Sequence, residues 1–442
     1  MKPISRARFL KRSLHATLLS SMAWGALGGE RERGVGSSRV RAVMDRIEED
    51  WEIALRILNP SRRDLERGME LHKEFLVMDT YGFMPRAAPD GDRLREIIEQ
   101  NASPLEIQDL SEDMSMSRFV DVEAEQEELA RAWQAAGVNV VVQNCGEEGN
   151  RIDRLLKRLA RFTWTTDRLP EIVRKAVTPE DLERIGRENG HALYFTGNGV
   201  PLPMEWVSPE EELRFIRVFY QLGIRMMHMT YNRRNVIGDG CAEESNCGLS
   251  DFGRTVVAEM NRVGVIPDVS HSGWQTSLET AKVSEKPVVA SHSTAGALFS
   301  HMRSKPDEVI RAIADTDGYI GICCIPRFLR GSGDIVRLLE HIDYVKRTFG
   351  SQYVGIGTDV AYTSKNAVSE RQNVPARPRT RTRWAALWPD DPFETTESMS
   401  RSLAWTNWPL FTTGLVQKGY SDQEIQMILG GNALRVAQAS FV

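Results

Sequence analysis

Apolar and polar positions along the 442-residue chain fall into a repeating pattern. Short runs rich in Val and Ile are each followed by a longer stretch whose apolar residues recur at helical spacing. Eight such runs occur, at 75–79, 138–143, 192–196, 224–229, 265–271, 287–292, 319–324 and 353–359. Apolar runs without alternation, joined by helix-length segments, predict parallel strands buried on both faces. Eight of them predict a closed (β/α)8 TIM barrel over an open doubly wound sheet. No Gly-x-Gly-x-x-Gly or Walker-type loop follows any run, which weakens the nucleotide-binding alternative. Ahead of the first run, Val43, Ile47, Trp51, Ala54, Leu55 and Leu58 predict a helix over 40–58, stopped by Asn59-Pro60. Ser61 followed by Asp64 marks a second helix start. Residues 31–70 therefore read as an N-terminal helical segment and 71–442 as the barrel.

The extreme N-terminus follows another pattern. Arg6, Arg8, Lys11 and Arg12 precede a mildly apolar stretch from Ala16 to Leu27 that ends in small residues. That is the layout of an export signal over residues 1–30, too short and Ser-rich for a permanent integral membrane span. Ser5-Arg6-Ala7-Arg8-Phe9-Leu10-Lys11 resembles a bacterial twin-arginine signal with Ala7 splitting the arginines. The mature chain is then expected in the periplasm or outside the cell. A net charge of −5 offers no global attraction to nucleic acid or anionic membrane, so nucleic acid is not an expected partner. Five cysteines without a CxxC pair argue against a zinc ribbon or a disulfide framework. Cys241 and Cys247 could bridge in an oxidising compartment or remain unpaired in one loop.

Chemistry belongs at the carboxyl ends of barrel strands. Three runs end in residues suited to metal or proton work: Asp268-Val269-Ser270-His271, Ala290-Ser291-His292 and Gly357-Thr358-Asp359. His271 and His292 are 21 residues apart, one strand-helix-strand step, so they project from adjacent strands toward one point. Asp359 lies 67 residues further, across the same mouth. Two imidazoles, a carboxylate and a water satisfy an open catalytic zinc site, which acidifies that water enough to attack a carbonyl. Taken singly, a strand-end histidine is more often a hydrogen-bonded core residue; the coincidence of three carries the reading.

Several motifs together carry a family resemblance. Gly248-Leu249-Ser250-Asp251-Phe252-Gly253, Glu259-Met260-Asn261-Arg262-Val263-Gly264, Asp268-Val269-Ser270-His271, Ala290-Ser291-His292-Ser293, Val354-Gly355-Ile356-Gly357-Thr358-Asp359 and Leu429-Gly430-Gly431-Asn432-Ala433-Leu434-Arg435-Val436 occur in order. The chain resembles the membrane (renal-type) dipeptidases, metallopeptidase family M19, over roughly residues 70–440. The resemblance implies a barrel of the amidohydrolase, metal-dependent hydrolase type. It also implies two zinc ions bridged by a glutamate, small peptide substrates and pairing into a homodimer. Position by position, it makes His271 and His292 ligands of one zinc, Asp359 the catalytic aspartate and Arg303 the anchor of a substrate carboxylate.

At other positions the chain departs from that pattern. The family's first-strand His-x-Asp is replaced within Asp79-Thr80-Tyr81-Gly82-Phe83, so Tyr81 and Phe83 stand where ligands of the other zinc belong. Thr196 stands at the bridging glutamate, and Tyr231 in Met229-Thr230-Tyr231-Asn232 at a substrate-contacting histidine. Phe83 has no lone pair and Thr196 does not ionise near neutrality, so at most one zinc is expected. Three outcomes stay open. The first is a one-metal hydrolase of a small peptide or other amide, with Glu147 or Glu148 as an extra carboxylate or as plain loop acids. The second is an inactive binding or scaffold barrel with Arg303, Tyr81 and Tyr231 shaping the pocket. The third is metal-free acid–base chemistry on the same side chains. Between Ala361 and Trp408 a long loop carries Arg371, Arg377, Arg379, Arg381 and Arg383 beside Trp384 and Trp388, the composition of either a lid or a solvated insertion. Strand parity with Tyr231 predicts that His228 faces the helices as a packed core residue.

Overall fold

The computed structural model describes residues 45–146, 151–376 and 387–442. The expected export signal, Glu147, Glu148 and the arginine-rich stretch 377–386 lie outside the described residues. Strands run in chain order β1 (Met78–Gly82), β2 (Val140–Asn144), β3 (Arg174–Ala176), β4 (Ala192–Gly197), β5 (Ile224–His228), β6 (Ile266–Asp268), β7 (Val289–Ala295), β8 (Ser304–Lys305), β9 (Tyr319–Ile322) and β10 (Val354–Ile356). Eight of them follow one another as β1-β2-β4-β5-β6-β7-β9-β10, all in parallel register, while β3 flanks β4 and β8 flanks β7. These eight are the eight apolar runs. The flanking pair, three and two residues long, is too short to stand out as an apolar run.

Both strand faces are buried, which is why the runs show no polar alternation. Met78, Val140, Val142, Tyr194, Met226, Ile266, Val289 and Tyr319 form one apolar set inside the ring. Their neighbours Val141, Leu193, Phe195, Met227, Val288, Ile320 and Val354 join the larger set beneath the helices. The ring closes between its first and last strands through side chains. The Asp79 carboxylate accepts the Thr358 N–H at 2.8 Å, the Thr358 hydroxyl at 2.6 Å and Trp405 Nε1–H at 3.2 Å. The Asp359 N–H adds a bond to the Tyr81 carbonyl at 3.0 Å. The result is a nearly closed (β/α)8 barrel.

Of the expected first helix, the described part runs Arg46–Leu58; the second, Arg62–Glu74, starts as expected, with Ser61 Oγ accepting the Asp64 N–H. Both pack on the C-terminal helices: Arg401 bridges Glu49 and Asp50 at 2.6 Å each, and Gly68 lies so close to Thr413 that no Cβ fits between them. Among the described residues, no helix is long and apolar enough to cross a membrane. All five cysteines are free thiols, Cys241 and Cys247 included.

Candidate active site

His271 follows the end of β6 and His292 lies within β7, and the fold brings their Nε2 atoms to 2.9 Å. Glycine makes this approach possible. A Cβ at Gly321 or Gly357 would strike the Ser291 carbonyl at 2.0 Å, so only bare backbone admits the β7 chain here. Thr80 then reaches across the lumen to donate to the same carbonyl at 2.8 Å.

Partners on the far side of each ring fix which nitrogen carries the proton. Asn232, turned into the left-handed region at φ 40°, donates its amide to the Leu387 carbonyl at 3.1 Å, so its Oδ1 is the accepting end, taking the Cys241 thiol at 3.2 Å and facing His271 Nδ1 at 2.7 Å. Ser291 donates its hydroxyl proton to Asp268, so its oxygen accepts His292 Nδ1–H at 2.9 Å. Asp268 is held well below the usual carboxylate range, against its own burial, by His228 and the Ser291 hydroxyl. Burial and then the Arg303 charge hold His271 and His292 well below the ordinary histidine value. Both rings are therefore neutral, and with Nδ1 of each turned to Asn232 or Ser291 the two Nε2 atoms face each other at hydrogen-bond distance. Such a pair repels until a proton or a cation stands between them.

Aromatic rings enclose the pair. Tyr81 stacks on His292 at 3.8 Å between centroids, and Tyr231 on His271 at 4.0 Å. Trp388 meets His271 edge-on at 6.1 Å and Tyr231 at 6.2 Å, and stacks on Phe328 at 5.6 Å. The loop after the last strand thus roofs the histidines through Trp388. Asp359 stands at the mouth with φ 56°, its backbone fixed by the Tyr81 carbonyl. It keeps part of its surface open, yet burial pushes its carboxyl up to about 6 against the pull of Arg303, His228, Arg86 and Arg327. Arg303 is 0% exposed: its terminal nitrogens donate to the carbonyls of Ser270 and of His292, the latter at 3.0 Å, and Nε has no partner among the described residues.

At the positions that the resemblance assigns to a second zinc, the side chains are engaged or lack donors. Tyr81 donates its hydroxyl to Asn198 Oδ1 at 2.5 Å, Thr196 donates to the Met226 carbonyl at 3.0 Å, and Phe83 offers only a ring, edge-to-face with Tyr81 at 6.0 Å. His228 corrects the parity reading. It shares the lumen side of β5 with Met226, and the chain turns between it and Tyr231, so alternation does not carry across. Its Nε2 lies 2.7 Å from Asp268 Oδ2 but off the line of a hydrogen bond, leaving both ring nitrogens without an aligned partner among the described residues. His228, Asp268 and His292 form a second cluster whose ligand atoms all lie within 4.8 Å of one another. Sequence reasoning also missed Asn232 and Ser291 as the residues that orient the pair; a polar side chain beside each strand end is the signal it had.

Parallel strands, a lumen filled by side chains and polar residues gathered at the carboxyl mouth define a (β/α)8 barrel with its candidate site at that mouth. Residues 66–375 match the family described as membrane dipeptidase (peptidase family M19), and the chain belongs to that family. The dipeptidase aclJ of Aspergillus oryzae is 34% identical over 150 residues, 33% of this chain and 36% of that protein. The chain spans less than half the length of the curated relatives it matches. An amidohydrolase from Pseudomonas aeruginosa shares the fold with a TM-score of 0.61 and 23% identity, over 85% of this chain and 99% of that one. A Rhodobacter sphaeroides metallopeptidase, solved with a phosphinate mimic of the dipeptide L-Ala-D-Ala, does so with a TM-score of 0.58 and 15% identity, over 83% and 100%.

Proposed function

We propose that the chain is a metal-dependent hydrolase of small peptides or related amides, working with one ion at the His271–His292 pair. The observation that carries this reading is the approach of His271 Nε2 and His292 Nε2 to 2.9 Å, each ring held from behind through its Nδ1 by Asn232 or Ser291. His271 and His292 would hold a single zinc ion; Tyr81, Phe83 and Thr196 do not fit as donors for a second. When bound, such an ion polarises a carbonyl oxygen and acidifies water.

The protein's own residues do the rest. Asp359, raised to about 6, is ionised at neutral pH yet basic enough to accept a proton at its carboxylate oxygen. Arg303 clamps the carbonyls of Ser270 and His292, so the backbone carrying both imidazoles cannot drift. Tyr81 and Tyr231 hold the rings by stacking, and Trp388 limits water at the mouth. The basic, then apolar N-terminus supports export as part of the same proposal.

The test is hydrolysis of a dipeptide panel by the zinc-supplemented protein, followed by release of free amino acids. Turnover that disappears in both Asp359→Asn and His271→Ala supports the proposal. A second reading, a binding barrel without turnover, draws on the absence of a carboxylate at Phe83 and Thr196; peptide binding with no product under zinc-replete conditions would select it.

A further inference from the structure

Two guanidinium groups at the mouth have no ion-pair partner among the described residues. Arg86 is fixed by its backbone, its N–H bonded to the Tyr362 carbonyl at 2.8 Å and its carbonyl accepting the Ser364 N–H at 2.9 Å. Its head rests 4.8 Å over the Phe83 ring and has no side-chain hydrogen bond or ion pair among the described residues. Arg327, in the short helix Pro326–Leu329, lies 4.9 Å over Trp388 and 5.0 Å over Phe328, equally without an ion-pair partner among the described residues. Both platforms lead to the histidines from different sides. Phe83 meets Tyr81, which stacks on His292; Trp388 meets His271.

Asp359 lies close enough for both arginines to favour its charged form and is hydrogen-bonded to neither, while Glu112, already paired with Arg154 and Arg158, acts more weakly on Arg86. Arg303, the third cation, is sealed beneath and engaged with backbone carbonyls. A guanidinium seated on an aromatic face loses little freedom when it takes a planar anion bidentately. Each of the two groups can seat one carboxylate bidentately.

We propose that Arg86 and Arg327 are specificity-determining residues that select a doubly anionic substrate, a small peptide with an acidic side chain as well as its terminal carboxylate. This rests on the hydrolase reading of the same site, and the experiment separates the two. Binding of Gly-Asp and Gly-Asn, equal in shape and one charge apart, is measured by calorimetry on the protein as purified, with product analysed by chromatography from the same mixtures. The expected result is at least tenfold tighter binding of Gly-Asp at low salt, narrowing as salt is raised. The preference is expected to collapse to within twofold in the Arg86→Gln, Arg327→Gln double variant at unchanged melting temperature. Equal affinities, binding of neither peptide, or a preference that survives both substitutions overturns the proposal. Preference without product defeats the hydrolase reading alone; product without preference defeats the clamp alone.

Discussion

Replacing Ser291 by alanine isolates the part of the site that prepares His292 without touching the ring. The substitution removes one acceptor, the oxygen 2.9 Å from His292 Nδ1, and one donor to Asp268. Asp268 keeps the Ser270 N–H at 2.9 Å, the Ser270 hydroxyl at 2.7 Å and the Ser291 N–H at 3.2 Å. Tyr81 still stacks on the imidazole at 3.8 Å, so the ring stays where it is. Of the two bonds lost, only the one to His292 leaves a buried group unsatisfied, a stability cost of about 1–3 kcal/mol. What changes is the tautomer: nothing now holds the proton on Nδ1, and the form with Nε2 protonated offers no lone pair to an ion. Loss of such an orienting partner costs about 10–100-fold in metal affinity, or about 1.4–2.8 kcal/mol. Zinc affinity, read by competition with a chromophoric chelator, should therefore fall by one to two decades while the far-ultraviolet spectrum is unchanged. Parental affinity in Ser291→Ala, alongside loss of binding in His292→Ala, would refute the idea that the partner behind the ring sets the site.

Three further outcomes follow from particular contacts. With Asp359 as the base, kcat/KM should rise with pH through about 6, because the carboxylate accepts a proton only when ionised. Asp359→Asn should lower kcat by about 10²–10⁴-fold; a flat profile over pH 5–7 by the same assay would contradict this. Asp79→Ala strips the acceptor from two buried N–H donors, Thr358 and Trp405 Nε1. It should cost about 1–3 kcal/mol for each in urea unfolding, whereas a change under about 1 kcal/mol would mean that the barrel seam does not depend on it. Trp388→Ala should weaken peptide binding by calorimetry with little change in melting temperature; equal loss of both would make the ring part of the core rather than a roof.

Much of this architecture is legible in the sequence because a strand buried on both faces must be apolar throughout, and eight such runs leave few ways to close a sheet. The imidazole pair is legible for the same reason, since adjacent parallel strands end at the same mouth. What the spacing hides is everything that depends on the chain's path after a strand ends. His228 and Tyr231 are three residues apart, but the turn between them breaks the alternation that would have told which one enters the lumen. Asn232 reaches His271 from 39 residues away, and Leu387 supports Asn232 from a further 155. Arg303 matches its motif by position, yet burial beneath the histidine-bearing backbone, which no local pattern records, turns its guanidinium to carbonyl oxygens. Arg86 and Arg327 stand out only once their aromatic platforms are seen to meet at the same mouth.

Zinc content per chain, measured by atomic absorption after exhaustive dialysis, tests the convergence of His271 and His292 most directly. The arrangement predicts one equivalent in the parent protein and none in either His271→Ala or His292→Ala. Two equivalents, or an equal content in all three proteins, would contradict it.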